Sequence, residues 1–477
     1  MSAKKAKAIP PHDSTVKATP TKRFFVEMLT RDIELDDAVL DLLDNCVDGV
    51  LRETRSAEPR PRPYDKYYAH ITFSPDQFKI EDNCGGIDRK TAEEYAFLMG
   101  RELGDPRDSD LPTVGMYGIG MKRAIFKIGR DAQVISRHAG GWFEVRIPYE
   151  WFERADWDLY AHGLLAVDPA PLGTTILVKK LQQSVRDQFG KRGDFEERLF
   201  EKLRSHYAFI MHKGFTVTVN GKKVQPRPMT FFVSSPPSKK NQTSLTPYMW
   251  DASIDGVKVE LTVGLYRPLA SEDEAVAEME AKRSREDAGW TIICNDRVVV
   301  HCDKTRLTGW GEVNVPNFHA QFNSIAGIVT FSSAEPLKLP ITTTKRGIDS
   351  SSDLYLRVKD RMREGTKVFT TYTSKWKQAL DEAKRAERQA ETVELEQLRS
   401  RISETQWTST RKNGEDGRRF MPTLPEPKPD SAESLIRFHR SRTDVRELGD
   451  KLLDDPDAKP SDVGAAAFDR ALRDVKK

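Results

Sequence analysis

Three short segments occur in a fixed order in this chain: ELDDAVLDLLDNCVDGV at residues 34–50, IEDNCGGI at 80–87 and GMYGIGMKRAIFKIG at 115–129. Singly, each is weak evidence, because carboxylate-rich helices, Asp-Asn-Gly turns and glycine loops are all common. In series they require a fold that brings an acidic helix, a strand-end turn and a glycine loop together.

The first segment reads as a helix, with Leu35, Val39, Leu42, Leu43, Cys46, Val47 and Val50 forming one apolar stripe. Asp37, Asp41, Asp44, Asn45 and Asp48 fall on the opposite side, which in isolation reads as a solvated acidic face. Asp41 and Asn45 lie one turn apart. A carboxylate there can take a proton from an attacking water, and the amide oxygen can ligate a hard cation such as magnesium. The second segment follows an expected strand pair, His70–Phe73 and Phe78–Glu81. Asp82 at the strand end can accept a hydrogen bond from the exocyclic amine of adenine, and Gly86 lets the backbone approach the base; a plain turn is the alternative. In the third segment Gly115, Gly118 and Gly120 precede a helix expected to begin near Met121. Loop amides and the positive end of that helix suit the phosphates of a nucleotide, and Lys122 adds a formal charge. The spacing is not that of the P-loop, and the dinucleotide fingerprint fits poorly.

This order of motifs resembles the GHKL superfamily, which includes the gyrase B subunit, the heat-shock chaperone ATPases, sensor histidine kinases and MutL, with the eukaryotic MORC proteins as further relatives. The resemblance implies an α/β (α+β) fold: a Bergerat-type sandwich holding ATP and Mg2+ between a mixed sheet and its helices, under a glycine-rich lid. It implies Asp41 as general base, Asn45 as magnesium ligand, and a nucleotide-binding set of Asn45, Asp48, Asp82, Gly86, Ile87, Gly115, Gly118, Ile119, Gly120, Met121, Lys122 and Thr174. Thr174 enters through GTTILV at 173–178, which is similar to a later strand of the family. The stretch ITTTKRGID at 341–349 resembles the transducer loop whose lysine, in the gyrase and MutL branches, reaches the terminal phosphate. That adds Lys345 to the catalytic set and disfavours a histidine-kinase arrangement; a basic surface loop is the plain alternative. Two departures stand out. Asp41 replaces the usual glutamate, and a shorter reach that misplaces water by about 1 Å costs on the order of a hundredfold in rate. Cys84 stands where the pattern D-x-G-x-G has its first glycine, so Gly85 is expected to take over the unusual backbone conformation.

The remainder divides by composition. Residues 1–22 read as a disordered basic tail, 23–182 as the ATP-binding domain, with 101–113 as its lid, and 183–350 as a transducer-like α/β domain. In that second domain a helix is expected over Phe195–Met211, strands over Phe215–Val219, Val257–Leu265 and Thr291–Val300, and a charged helical insertion over 271–286. Residues 351–407 read as a long helical stalk, 408–430 as a linker and 431–477 as short helices, with Ser461 as a helix cap. At 477 residues and a formal net charge of +3, the whole chain does not announce a nucleic-acid partner, so any such surface would be a local patch. Four cysteines without C-x-x-C spacing argue against a zinc site or a disulfide framework. No transmembrane run or signal segment is found, and a cytoplasmic protein is expected.

The expected function is a magnesium-dependent ATP-binding protein and slow ATPase. It would act as an ATP-gated clamp and ATP-dependent homodimer, MORC-like, in bacterial genome maintenance or defence, with a protein partner on the C-terminal helices. The alternative is a non-hydrolytic, nucleotide-gated scaffold in which Asp41 is structural.

Overall fold

Thr21 accepts a hydrogen bond from the Phe24 amide and so starts the first helix, α1 (Lys22–Arg31), inside the segment expected as a disordered tail. Lys22 is no tail residue: its ammonium donates to the Trp151 carbonyl at 2.7 Å and lies 3.8 Å from the centroid of that indole ring. The computed structural model describes residues 21–476 except 56–57, 59, 61, 101–112, 114–117, 167–169, 191–193, 236–242, 271–273, 275–286, 343–346, 378, 388–389, 413–414, 428–435 and 437. The basic tail to residue 20, nearly all of the expected lid and helical insertion, Gly115 and Lys345 lie outside the described residues.

The long helix α2 (Leu35–Thr54) is followed by a hairpin of β1 (Tyr68–Ser74) and β2 (Gln77–Asp82) and a short turn of helix, α3 (Arg89–Thr91). Then come α4 (Gly120–Ile128), β3 (Gly129–His138), β4 (Gly141–Ile147), β5 (Ala161–Leu164) and β6 (Gly173–Leu181). Three more helices, α5 (Gln183–Gly190), α6 (Asp194–His206) and α7 (Ala208–His212), lead to β7 (Thr216–Val219) and β8 (Lys222–Lys223). These strands form one mixed sheet in the order β5-β4-β3-β6-β2-β1-β7-β8, in which only β1–β7 is parallel. Residues 183–224, expected to open the transducer-like domain, complete the first sheet and its core through Phe195, Leu203, Val217 and Val224. The helix expected over Phe195–Met211 is broken at Tyr207, whose φ of −112° and ψ of 11° leave the helical region and whose hydroxyl reaches α2, 2.8 Å from the Leu40 carbonyl.

The second sheet runs β13-β12-β14-β11-β10-β17-β16 and follows β9 (Thr230–Val233) in the chain. Its strands are β10 (Tyr248–Ile254), β11 (Val257–Leu265), β12 (Gly289–Cys294), β13 (Arg297–Asp303), β14 (Ile325–Ser332), β16 (Thr408–Lys412) and β17 (Glu415–Phe420). The single strand expected over Thr291–Val300 is thus a hairpin. Asn295 and Asp296 form its two-residue turn at φ of 46° and 68°, a conformation these side chains tolerate better than most.

The expected stalk is likewise divided. Its helix α8 (Asp353–Trp376) buries Tyr355, Val358, Met362, Phe369 and Trp376 in the core of the second sheet, the i, i+3, i+4 pattern of a packed helix. A short α9 (Leu380–Ala386) follows, then β15 (Glu391–Glu394) pairing with β9, and α10 (Leu395–Arg401). The expected linker 408–430 instead supplies β16 and β17, and β17 extends the sheet at β10. Its charges have partners there: Arg418 lies 3.1 Å from Asp251, and Arg419 pairs with Glu364 on α8. Residues 427–477 form a separate unit with α11 (Arg442–Leu453), capped by Ser441, and α12 (Pro460–Val475). Ser461 lies within α12; Lys459 precedes it as cap, with Pro460 at the first helical position. Among the described residues no helix is long and apolar enough to cross a membrane.

His206 closes α6 with its Nδ1 2.8 Å from the Val298 carbonyl of β13, so the neutral imidazole donates there. Burial pushes its pKa down from 6.5 to about 4, with the neighbouring Arg297 and Lys202 charges acting in the same direction. On acidification the unfolded chain protonates first. The contribution is therefore complete above pH 6.5 and is lost as pH falls towards 4. Stability is expected to drop by on the order of 2 kcal/mol across that window. Urea unfolding at a series of pH values checks this: His206→Gln, which can still donate, should flatten the acid slope, and an unchanged slope would refute the assignment.

Candidate functional site

Helix α2 is buried on nearly every side. Asp36, Asp37, Asp41, Asp44 and Asp48 are all at most 6% exposed, while Asn45 alone among its central turns is open to solvent. This excludes the solvated acidic face. Buried carboxylates need partners. Lys202 of α6 lies 2.6 Å from Asp36 and 2.9 Å from Asp37. Arg123 of α4 forks onto one oxygen of Asp41, at 2.5 Å from Nη2 and 3.2 Å from Nε. Arg297 of β13 pairs with Asp44, and the Tyr207 hydroxyl, 2.6 Å from the same carboxylate, accepts from Arg297. Burial alone would lower the Arg297 pKa, but Asp44, Tyr207 and Asp41 outweigh it and raise it.

The turn after β2 is built on two glycines. Gly85 and Gly86 have φ of +88° and +76° while Cys84 is not at positive φ, so the left-handed backbone falls on Gly85, as expected, and on Gly86. Cys84 packs instead on α2, where a Cβ on Gly49 would lie 2.7 Å from its carbonyl oxygen; Gly49 is the residue that permits this contact. Asp82 is held by the same turn. Its Oδ1 accepts from the Cys84 amide at 2.8 Å and the Thr174 amide of β6 at 3.1 Å, and its Oδ2 lies 3.4 Å from the Cys46 thiol. Burial raises the Asp82 pKa, and the two amides oppose that rise. Ser136 of β3 pins the next residue, accepting from the Ile87 amide at 2.7 Å and donating to its carbonyl at 2.8 Å.

At the other segment α4 begins at Gly120, and its N-cap residue, Ile119, makes no side-chain cap bond. Its first amides thus retain the capacity to bind an anion. Lys122, expected to offer its charge to phosphates, is 3% exposed and donates to the carbonyls of Gly118 and, at 2.9 Å, Ala96, the last residue of a π-helical stretch Ala92–Ala96. In this conformation it ties the loop to that stretch.

These elements surround one cavity of about 420 Å³. Its walls include Asp41, Asn45 and Asp48 of α2; Asp82, Gly86 and Ile87; Gly118, Ile119, Gly120, Met121 and Lys122; and Thr174. Gly115 and Lys345 lie outside the described residues, so the structure places twelve of the fourteen candidate residues around this space. Gly49, Cys46, Arg123 and Ser136, which the motifs did not single out, also shape or touch it. The donor set fits a magnesium nucleotide: an amide oxygen at Asn45, an acceptor at Asp82 and an uncapped helix end at Gly120.

Residues 33–168 match the family described as histidine kinase-, DNA gyrase B-, and HSP90-like ATPase. The match supports the GHKL superfamily for this part of the chain, and the mixed α/β architecture is consistent with it. ATP binding is the property it implies. No curated protein matches the chain.

Asp82→Asn is expected to weaken ATP binding by about tenfold and erode discrimination against GTP. An amide can keep its oxygen on the Cys84 and Thr174 amides only by turning its NH2 towards the base, where an acceptor is needed. Competition binding with ATP and GTP measures this, and an unaltered preference would remove Asp82 from adenine recognition.

Proposed function

We propose that this protein is a magnesium-dependent ATP-binding switch with slow ATPase activity. The observation that supports the reading is the convergence of Asp41, Asn45, Asp82 and the uncapped amino end of α4 on one cavity. In it, Oδ2 of Asp82, held there only by weakly donating thiols, accepts from the adenine amine, while amides of residues 118–120 receive the phosphates. Asn45 holds Mg2+, which when bound neutralises charge on the phosphates. Asp41 orients the attacking water and takes its proton. Its carboxylate is shorter than glutamate and already engaged by Arg123, and both features predict slow turnover. Lys345 contacts the terminal phosphate and draws the second domain in, and two protomers close as a clamp until hydrolysis. By analogy of fold with MORC proteins, the proposal extends to genome maintenance or defence in the cytoplasm of a bacterium, with the C-terminal helices engaging a protein partner and nucleic acid as cargo.

The Arg123–Asp41 fork also favours a second reading, in which Asp41 is structural and ATP sets shape without being hydrolysed.

Three variants separate the readings. Asn45→Ala should abolish magnesium-dependent ATP binding, measured by titration calorimetry with and without Mg2+. Asp41→Asn, which can still accept from Arg123, should retain ATP affinity, lose turnover by roughly two orders of magnitude and accumulate the closed dimer. Lys345→Ala should bind ATP but fail to close, as read by size-exclusion chromatography with a slowly hydrolysed analogue. Parental turnover in both Asp41→Asn and Lys345→Ala would sink the switch; a parent that binds ATP without hydrolysing it would establish the scaffold.

A further inference from the structure

The turn between β12 and β13 sets three consecutive residues of the second sheet against separate parts of the ATP-binding half. Asn295 donates to the carbonyls of Thr113 at 3.3 Å and Ser333 at 3.1 Å, and its oxygen accepts from the Ser333 amide at 3.0 Å. Asp296 lies 2.7 Å from the Lys213 ammonium and 3.2 Å from the Tyr64 hydroxyl. Arg297 takes Asp44 and Tyr207. Thr113 is 1% exposed and stands two residues ahead of the glycine loop. Asp44 immediately precedes Asn45 and lies within one helical turn of both Asp41 and Asp48.

This turn therefore grips both the root of the glycine loop and the helix that carries the catalytic candidates. Arg297 itself is not part of the cavity wall, so it acts through Asp44. Arg297 and Asp44 are 4% and 1% exposed; pulling them apart would leave two uncompensated buried charges, so α2 and β13 shift together. Asn295 and Asp296 both sit at positive φ, in the narrow left-handed region that a two-residue turn of this kind uses.

We propose that Arg297 is a positioning residue for the ATP site, supplied by the second sheet, and that the Asn295–Arg297 turn is the link through which that sheet reads nucleotide occupancy. The proposal rests on the cavity being an ATP site. It assigns the link to residues far in sequence from the Lys345 loop.

Hydrogen exchange on the full chain, with and without magnesium and a slowly hydrolysed ATP analogue, tests it. In the parent, the analogue should slow exchange in α2 and also in residues 289–303. Arg297→Lys keeps a cation on Asp44 with altered reach, and Asn295→Gly suits the positive φ while removing the side-chain bonds. Both should keep analogue affinity within about threefold and protection in α2, yet lose the protection of 289–303; Arg297→Lys should lower kcat about tenfold with KM little changed. Undiminished protection of 289–303 in both variants overturns the link alone. A purely structural Arg297, seen as a lower Tm with kcat per folded molecule unchanged, overturns the positioning role. Absence of α2 protection in the parent overturns the ATP-site reading, and the link with it.

Discussion

Five carboxylates buried along a single helix set the terms for everything around α2. An uncompensated buried charge costs several kcal/mol, and a whole domain is stable by only about 5–15 kcal/mol, so leaving even two unpaired would compromise the fold. The compensating groups come from distant parts of the chain: Arg123 from α4, Lys202 from α6, Tyr207 from the break after α6, and Arg297 from the second sheet. Residues 183–224 belong to the first sheet for a related reason. They carry Lys202 and Tyr207, which α2 requires, and β7 lies beside β1.

The same helix separates anchoring from exposure. Asp36, Asp37 and Asp44 face protein partners, whereas Asn45 is left open to the cavity. Asp82 repeats that division within one carboxylate: Oδ1 is occupied by two backbone amides, which fix its orientation, and Oδ2 accepts from the weakly donating Cys46 thiol. Such prior fixing of polar groups lowers the cost of ordering them around a ligand.

Much of the local structure was legible because it depends on near neighbours. The helical period of residues 35–50, the alternation along 68–82 and the β-branched run at Val257–Leu265 all lead to the elements found. The motifs also pointed to the walls of one cavity, since glycine placement and strand-end carboxylates are short-range features. The failures came where a long-range contact overrode composition. Residues 408–420 read as a linker because they are charged and contain glycine, yet Asp251 and Glu364 accept those charges and β10 offers an edge. The Asn295–Asp296 turn was hidden inside an apolar run because it lacks the glycine that marks most two-residue hairpins.

By itself the sequence determined which chemical groups lie within one helical turn or one tight turn of each other: Asp41 beside Asn45, Asp82 ahead of Gly85 and Gly86, Gly118 and Gly120 before a helix. Those relations follow from backbone geometry over a few residues. Only the tertiary structure decided what neutralises them. Arg297 lies 253 residues from Asp44, and Arg123 lies 82 residues from Asp41. Charges out of water interact through space rather than along the chain, so no spacing in the sequence could assign Arg123 to the candidate base or tie the second sheet to α2.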